Sequence, residues 1–358
     1  MSAAPRTVRA AICDAFGQPL RIGEVALPAP GPGEVQVDLE ACAVCHSDVT
    51  YADGGFGGAL PAVYGHEAVG RVVAQGAGVT VPGVGARVLV TLIRSCGDCP
   101  TCASGRPTQC AAPGDHPGLD GGATVAAMSC GAFAEAVTVH VSQTAPVPDD
   151  IPAEAACLIS CGVVTGLGAA VNTARVRPGD WVAVVGAGGV GLNAVQGARL
   201  AGAARVIAVD LTDEKLDGAR AFGATDGVLA GTDLREAMLR LGRLPDHGLI
   251  TVGAGPVIDG ALDWLAPHGT AYLVGMPHVG TVSTLDPVSA AYYGKGLRGT
   301  RMGDVVLRRD VPWIVDLYRQ GRLKLEELVS DVVPLDRIEE AMQAVRDGRG
   351  RRHVVRFR

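Results

Sequence analysis

One unit of this chain admits few folds. Residues 181–210 read WVAVVGAGGVGLNAVQGARLAGAARVIAVD. An apolar, Val-rich run ends at Gly186, and Gly186, Gly188 and Gly191 form G-x-G-x-x-G. A helical stretch closed by Gly follows, and a second apolar run ends at Asp210, nineteen residues after Gly191. Strand, helix and strand in that order form a right-handed crossover between parallel strands. G-x-G-x-x-G alone is a weak signal, but following a strand, opening a helix and preceding an acidic strand end it marks a dinucleotide site. Gly186 permits the tight turn, Gly188 lets a pyrophosphate approach the backbone, and Gly191 lets helix and strand pack closely. The free N–H groups of the helix start face the phosphates. Asp210 would accept hydrogen bonds from the ribose hydroxyls. A carboxylate there repels a 2′-phosphate and no Arg follows it, which favours NAD over NADP.

The same alternation continues. TDEKLDGARAFG reads as a helix with Thr212 as its cap, and DGVLA, GLITVGAG and TAYLVGM read as strands, with DGALDWLAPHG helical between the last two. This is an α/β pattern with a doubly wound parallel sheet. Before about residue 150 the style differs: short β-type runs such as VRAAIC, EVQVDLEACAV, GRVVAQG and ARVLVTL alternate with Gly/Pro turns, as in a β-rich, barrel-like domain. DDIPAEAACL then looks like a helix start. Near the end, VPWIVDLYRQGRL and RIEEAMQAVRDG read as amphipathic helices and HVVRFR as a final strand returning to the first domain. The expected organisation is residues 1–162 with 302–358 as one domain and 163–301 as the other. No internal repeat is visible.

A length of 358 residues suits two such domains. The net charge of −6 leaves no electrostatic footprint for nucleic acid. The uncharged windows 157–174 and 181–198 are broken by Gly and by Ser160, Thr165, Asn172 and Asn193, so buried α/β elements explain them better than membrane helices. The first residues lack the apolar core of a signal peptide. A cytoplasmic protein without membrane or nucleic-acid partners is the expectation.

The chain has ten cysteines, four of them in SCGDCPTCASGRPTQC: Cys96, Cys99, Cys102 and Cys110. In a reducing compartment, clustered cysteines mean metal or catalysis rather than disulfides. Four thiolates can enclose Zn²⁺ in a closed, structural tetrahedron, and an iron–sulfur cluster also uses four. The lobe, about 94–111, has little core of its own, so a metal would organise it. A second set is scattered: Cys45, Ser47 and Asp48 in ACAVCHSDVT, His66 and Glu67 in YGHEAVGRV, and Cys161 in LISCGVVTG. Taken singly, each is an ordinary core residue. Cys13, Cys42, Cys130 and Cys157 read as small buried apolar residues.

Together these motifs resemble the zinc-containing medium-chain dehydrogenase/reductase family, the alcohol dehydrogenases. The resemblance runs from EVQVDLEACAVCHSD to GRRHVV, with Cys45 twenty-one residues before His66. It implies a GroES-like catalytic domain split around a Rossmann domain. It also implies two Zn per subunit: one catalytic, on Cys45, His66 and Cys161 with an open fourth position, and one structural, on the four clustered cysteines. Glu67 resembles a carboxylate that approaches the catalytic metal, Ser47 the hydroxyl that passes the alcohol proton on, and Asp48 an acid that orients His66. Thr165 would pack beside the nicotinamide, Lys215 reach the adenosine ribose, and Arg352 the pyrophosphate. Phe56, Leu92 and Met276 fall where the substrate pocket is lined.

Two positions depart from the pattern. His46 stands where many relatives carry a pyrophosphate-binding Arg, and Thr50 where a full proton relay has a His. His46 or water would then complete the relay. The implied reaction is hydride transfer between NAD and a primary or secondary, apolar or aryl, alcohol/aldehyde pair. The alternatives are a thiol-adduct formaldehyde dehydrogenase, or a non-catalytic NAD- and zinc-binding protein. A homodimer or homotetramer, in contact through the Rossmann sheet edge, is the expected assembly.

Overall fold

The computed structural model describes residues 6–357. Two compact units are present, one formed by residues up to 161 and from 306 onward, the other by 162–305.

The 162–305 unit carries a six-stranded parallel sheet in the spatial order Asp226–Leu229, Arg205–Asp210, Trp181–Val185, His247–Ile250, Thr270–Leu273, Gly296–Gly299. The central strands are buried on both faces, which is why they are runs of Val, Ile and Ala rather than alternating patterns. The first strand in sequence, Trp181–Val185, has the second on one side and the fourth on the other. Strand order therefore reverses at its carboxyl end, where ligands bind in open α/β sheets. The Gly-rich turn lies there. Helix Asp213–Ala221 starts where Thr212 Oγ1 accepts the backbone N–H of Lys215 at 3.4 Å.

One expected helix is corrected. DGALDWLAPHG is not helical: the helix is Gly255–Asp259, opened by Pro256 and stopped at Gly260. Ala261, Leu262, Trp264 and Leu265 still enter the core, but from turns. Burial drove the apolar spacing there, and Gly260 ended the helix before the spacing could extend it.

The other unit holds a four-stranded sheet and a seven-stranded sheet. In the larger one the order is Val329–Pro334, Arg352–Arg356, Glu34–Val44, Glu67–Gln75, Arg87–Thr91, Thr144–Pro146, with Ala136–His140 also paired to Glu34–Val44. The C-terminal strand thus pairs with the strand that leads to Cys45. The apolar helical run Ala153–Ala174 is mostly buried inside the protein, as a core helix is.

Candidate functional site

Local structure delivers the scattered set to one point. Strand Glu34–Val44 ends at Cys45, which caps helix His46–Ala52. Asp48, in the first turn of that helix, accepts the Cys45 N–H at 2.9 Å through Oδ2. Its Oδ1 accepts the Gly65 N–H at 2.9 Å and lies 3.1 Å from His66 Nδ1. Gly65 has φ +91°, and a Cβ there would lie 2.6 Å from the Phe133 backbone nitrogen, so only glycine brings the chain to His66 this way. Cys161 arrives on the helical run, which is pinned by Ser160 donating to the Ala68 carbonyl at 2.9 Å.

The ligand atoms of Cys45, His66, Glu67 and Cys161 all lie within 4.8 Å of one another, and all four residues are buried. His66 Nε2 is buried with no hydrogen-bond partner. A buried imidazole nitrogen left that way is costly, and a metal ion is the group that removes the cost. Two thiolates and one imidazole suit Zn²⁺, and the thiolate charges balance the dication. The donor set therefore fits the metal that the resemblance implies. Hydrogen bonding from the Cys161 thiol holds Cys45 well below the usual thiol range and pushes Cys161 up. Burial pulls the His66 imidazole down, but the neighbouring Asp48 carboxylate and Cys45 outweigh it and raise it. Burial lifts Glu67 to about 7, against the pull of Arg352.

The Arg352 guanidinium is buried in an ion pair with Glu67. Both groups lie on the interior face of one sheet, where a lone carboxylate could not stay charged, so each holds the other.

The four-cysteine lobe has its own geometry. Cys99 Sγ lies 3.9 Å from Cys110 Sγ, and Cys110 Sγ lies 3.5 Å from Cys96 Sγ. A disulfide needs about 2.05 Å, whereas metal–sulfur bonds of about 2.3 Å in a tetrahedron give sulfur–sulfur edges of about 3.8 Å. The backbone N–H groups of Cys96 and Cys99 donate to Cys110 Sγ and Cys96 Sγ, each at 3.3 Å, as they would to thiolates. All four sulfurs fall within 4.8 Å of one another.

The dinucleotide turn belongs to the 162–305 unit. Gly186 has φ +98°, and a Cβ on Gly191 would lie 1.7 Å from the Gly186 carbonyl oxygen, whereas a Cβ on Gly188 would meet nothing within 4 Å. The first and third glycines thus close the turn, and the second leaves an open cradle at the start of helix Gly189–Leu200. Asp210 accepts from the Ala187 N–H at 2.6 Å and the Leu211 N–H at 2.7 Å, with Lys215 Nζ 3.8 Å away. The residues fit a dinucleotide. Thr251 was missed by sequence reasoning: its hydroxyl reaches the carbonyls of Val185 and Gly186, each at 2.9 Å, and braces the turn. Its position just past strand His247–Ile250, beside the reversal of strand order, was the available signal.

The remaining expected residues are less convergent. Ser47 is half-buried and donates to Cys45 Sγ at 3.1 Å. The His46 side chain is exposed, and the Thr50 hydroxyl is taken by the His46 carbonyl at 3.0 Å. Phe56 meets Tyr51 edge to face at 4.9 Å, and Leu92 packs on the core. Met276 is 70% exposed. Thr165 is buried, its hydroxyl 3.5 Å from Met302 Sδ. Cys157 donates to the Glu154 carbonyl and lies outside the ligand group.

A buried Cys₂His set with a carboxylate beside it, and a Rossmann phosphate cradle, define a metal- and dinucleotide-dependent oxidoreductase. The chain matches the Alcohol dehydrogenase GroES-like domain over residues 31–149 and Zinc-binding dehydrogenase over residues 189–320. It is 34% identical to the S-(hydroxymethyl)glutathione dehydrogenase of Escherichia coli O157:H7, covering 98% of this chain and 99% of that one. It is 35% identical to the NDMA-dependent alcohol dehydrogenase of Amycolatopsis methanolica, covering 97% and 98%. The solved benzyl alcohol dehydrogenase of Acinetobacter calcoaceticus has a TM-score of 0.92 at 28% identity, covering 99% of this chain and 100% of that one. This chain belongs to the zinc-containing medium-chain dehydrogenase/reductase family, and is a zinc-dependent oxidoreductase of alcohol/aldehyde pairs.

Proposed function

We propose that this enzyme oxidises apolar or aryl, primary or secondary alcohols with NAD. One zinc would be held by Cys45, His66 and Cys161 and a second by the four-cysteine lobe. The observation that carries the reading is the convergence of three metal-ligand atoms with His66 Nε2 buried and unpartnered.

Zinc would supply Lewis acidity at the substrate oxygen, and NAD the hydride acceptor. The rest is work for this chain's residues. Asp48 accepts the Nδ1 proton of His66, which fixes the tautomer whose Nε2 lone pair faces the metal ligands. Ser47 Oγ donates to Cys45 Sγ at rest; turned away from it, the hydroxyl would pass its own proton to water or to the exposed His46 as it accepts the substrate's hydroxyl proton. The Glu67–Arg352 pair keeps a carboxylate beside the site at no net charge. Asp210 selects ribose hydroxyls over a 2′-phosphate, and Gly188 admits the pyrophosphate.

The apolar side chains Phe56, Leu92 and Met276 support an apolar substrate, as does the name of the benzyl alcohol dehydrogenase. A cytoplasmic setting fits ten free thiols. A homodimer or homotetramer is supported by the edge strand Gly296–Gly299 and by exposed Val279, Val282, Val288 and Tyr292 nearby in the chain.

The test is an alcohol panel followed by NADH absorbance, with metal content measured on the same sample. Two zincs per chain and turnover of benzylic or alkyl alcohols are expected. No NAD⁺ reduction by zinc-loaded protein overturns the reading, and formaldehyde turnover only with an added thiol selects the thiol-adduct alternative.

A further inference from the structure

Thr91 is the last residue of strand Arg87–Thr91, is fully buried, and its hydroxyl has no hydrogen-bond partner. A buried hydroxyl in that state is costly, and natural cores rarely keep one. Its place in the sheet is specific. Across the ladder Thr91 is the register partner of Glu67, and Glu67 in turn is the partner of Ala43. Directly opposed residues of an antiparallel pair project to the same face with Cβ atoms about 5 Å apart. Glu67 therefore stands in a row between a small Ala and a Thr whose hydroxyl is unused. Its carboxylate is paired with Arg352. Arg352 lies on the C-terminal strand two residues before Val354, the partner of Ala43, and so reaches Glu67 from the Ala43 side. The Thr91 side is the opposite one.

We propose that Thr91 is a positioning residue for Glu67: its hydroxyl is the second docking point of the Glu67 carboxylate, occupied when that carboxylate leaves Arg352. The row Ala43–Glu67–Thr91 gives Glu67 two resting places, a guanidinium on one flank and a hydroxyl donor on the other. Because Glu67 lies among the metal-ligand atoms, the balance between the two sets how readily the carboxylate takes part in ligand exchange. The inference rests on reading Cys45, His66 and Cys161 as a zinc site.

The test uses the full-length, zinc-loaded enzyme and transfer of zinc to a chromogenic chelator. The phase of release that coincides with loss of alcohol oxidation belongs to the Cys45–His66–Cys161 set. Thr91→Val holds Glu67 on Arg352 and slows that phase about three- to tenfold, the worth of one hydrogen bond. Thr91→Ser restores the wild-type rate, and in a Glu67→Ala background Thr91→Val changes nothing further. Should Thr91→Val fail to fold, Thr91→Ala removes the same hydroxyl. A hydroxyl that is only a packing defect gives the contrary result: a raised melting temperature with an unchanged release rate. That outcome, or slowing that persists without Glu67, overturns the proposal. A wild-type protein that binds no zinc at Cys45, His66 and Cys161 overturns the functional reading instead.

Discussion

Asp48 and His66 are joined at 3.1 Å where neither side chain has any exposed surface. The carboxylate also holds the Cys45 and Gly65 N–H groups, so one side chain sets the orientation of two of the three proposed ligands. Asp48→Asn keeps the shape but offers a neutral partner to Nδ1. Zinc affinity at this site should fall about 10- to 100-fold, read by competition with a chelator. Unchanged affinity would mean that Asp48 serves only to cap its helix.

The four-cysteine lobe contains a short helix, Pro100–Ala103, with no buried residue, so packing alone does not hold it. Cys99→Ser should reduce zinc from two ions to one per chain and open the lobe to proteolysis, while the Cys45–His66–Cys161 set keeps its ion. Elemental analysis and limited proteolysis on one preparation test this. A variant retaining both ions would reject the lobe as a metal site.

The two outer glycines of the phosphate turn should respond differently from the middle one. Gly191→Ala places a methyl 1.7 Å from the Gly186 carbonyl and should lower thermal stability sharply. Gly188→Ala meets open space in the protein and should leave stability within about 1 kcal/mol. It should nevertheless weaken NADH binding at least about tenfold, as measured by fluorescence quenching, because the methyl fills the cradle. Equal effects on both quantities in both variants would count against the assignment.

Stability should fall on the acid side of pH 6.5. Burial holds the His116 and His140 imidazoles below their ordinary value of 6.5, with Arg94 adding to the effect on both. His116 Nδ1 accepts from the Gly118 N–H at 3.0 Å and Nε2 donates to the Thr138 carbonyl at 2.8 Å, a pattern only the neutral ring can make. The unfolded chain therefore takes up these protons first. Stability is complete above about pH 6.5 and declines as pH drops below it. Urea unfolding at pH 5.5 and 7.5 measures the decline, and His116→Asn should lessen it. A chain equally stable at both values would contradict the assignment.

Val288 and Tyr292 are 72% and 80% exposed, which is unusual for side chains of their size. If this surface joins two copies, Tyr292→Glu should shift sedimentation toward the monomer without altering zinc content. An unshifted profile would place the contact elsewhere.

What the sequence disclosed followed from how local its causes were. Gly186, Gly188, Gly191 and Asp210 meet backbone and charge requirements set within thirty residues, and the Thr212 cap acts within one turn. Cysteine spacing revealed the lobe because its ligands lie fourteen residues apart at most. The Glu67–Arg352 pair was not legible because the partners are far apart in sequence and meet only through sheet order. Thr91 gave no signal at all: a threonine in a strand is ordinary, and only the register shows what it faces. The stretch after Asp259 misled because apolar spacing reports burial, and turns can bury side chains as well as helices do.

The strand Arg352–Arg356 is made long after Glu34–Val44, yet it pairs with it inside one sheet. Until it arrives, that sheet has an open inner edge and Glu67 has no guanidinium beside it. Synthesis thus supplies every strand of the 162–305 sheet before the sheet of Glu34–Val44 is complete, so a chain cut ahead of Arg352 should fold in its middle while the other unit waits.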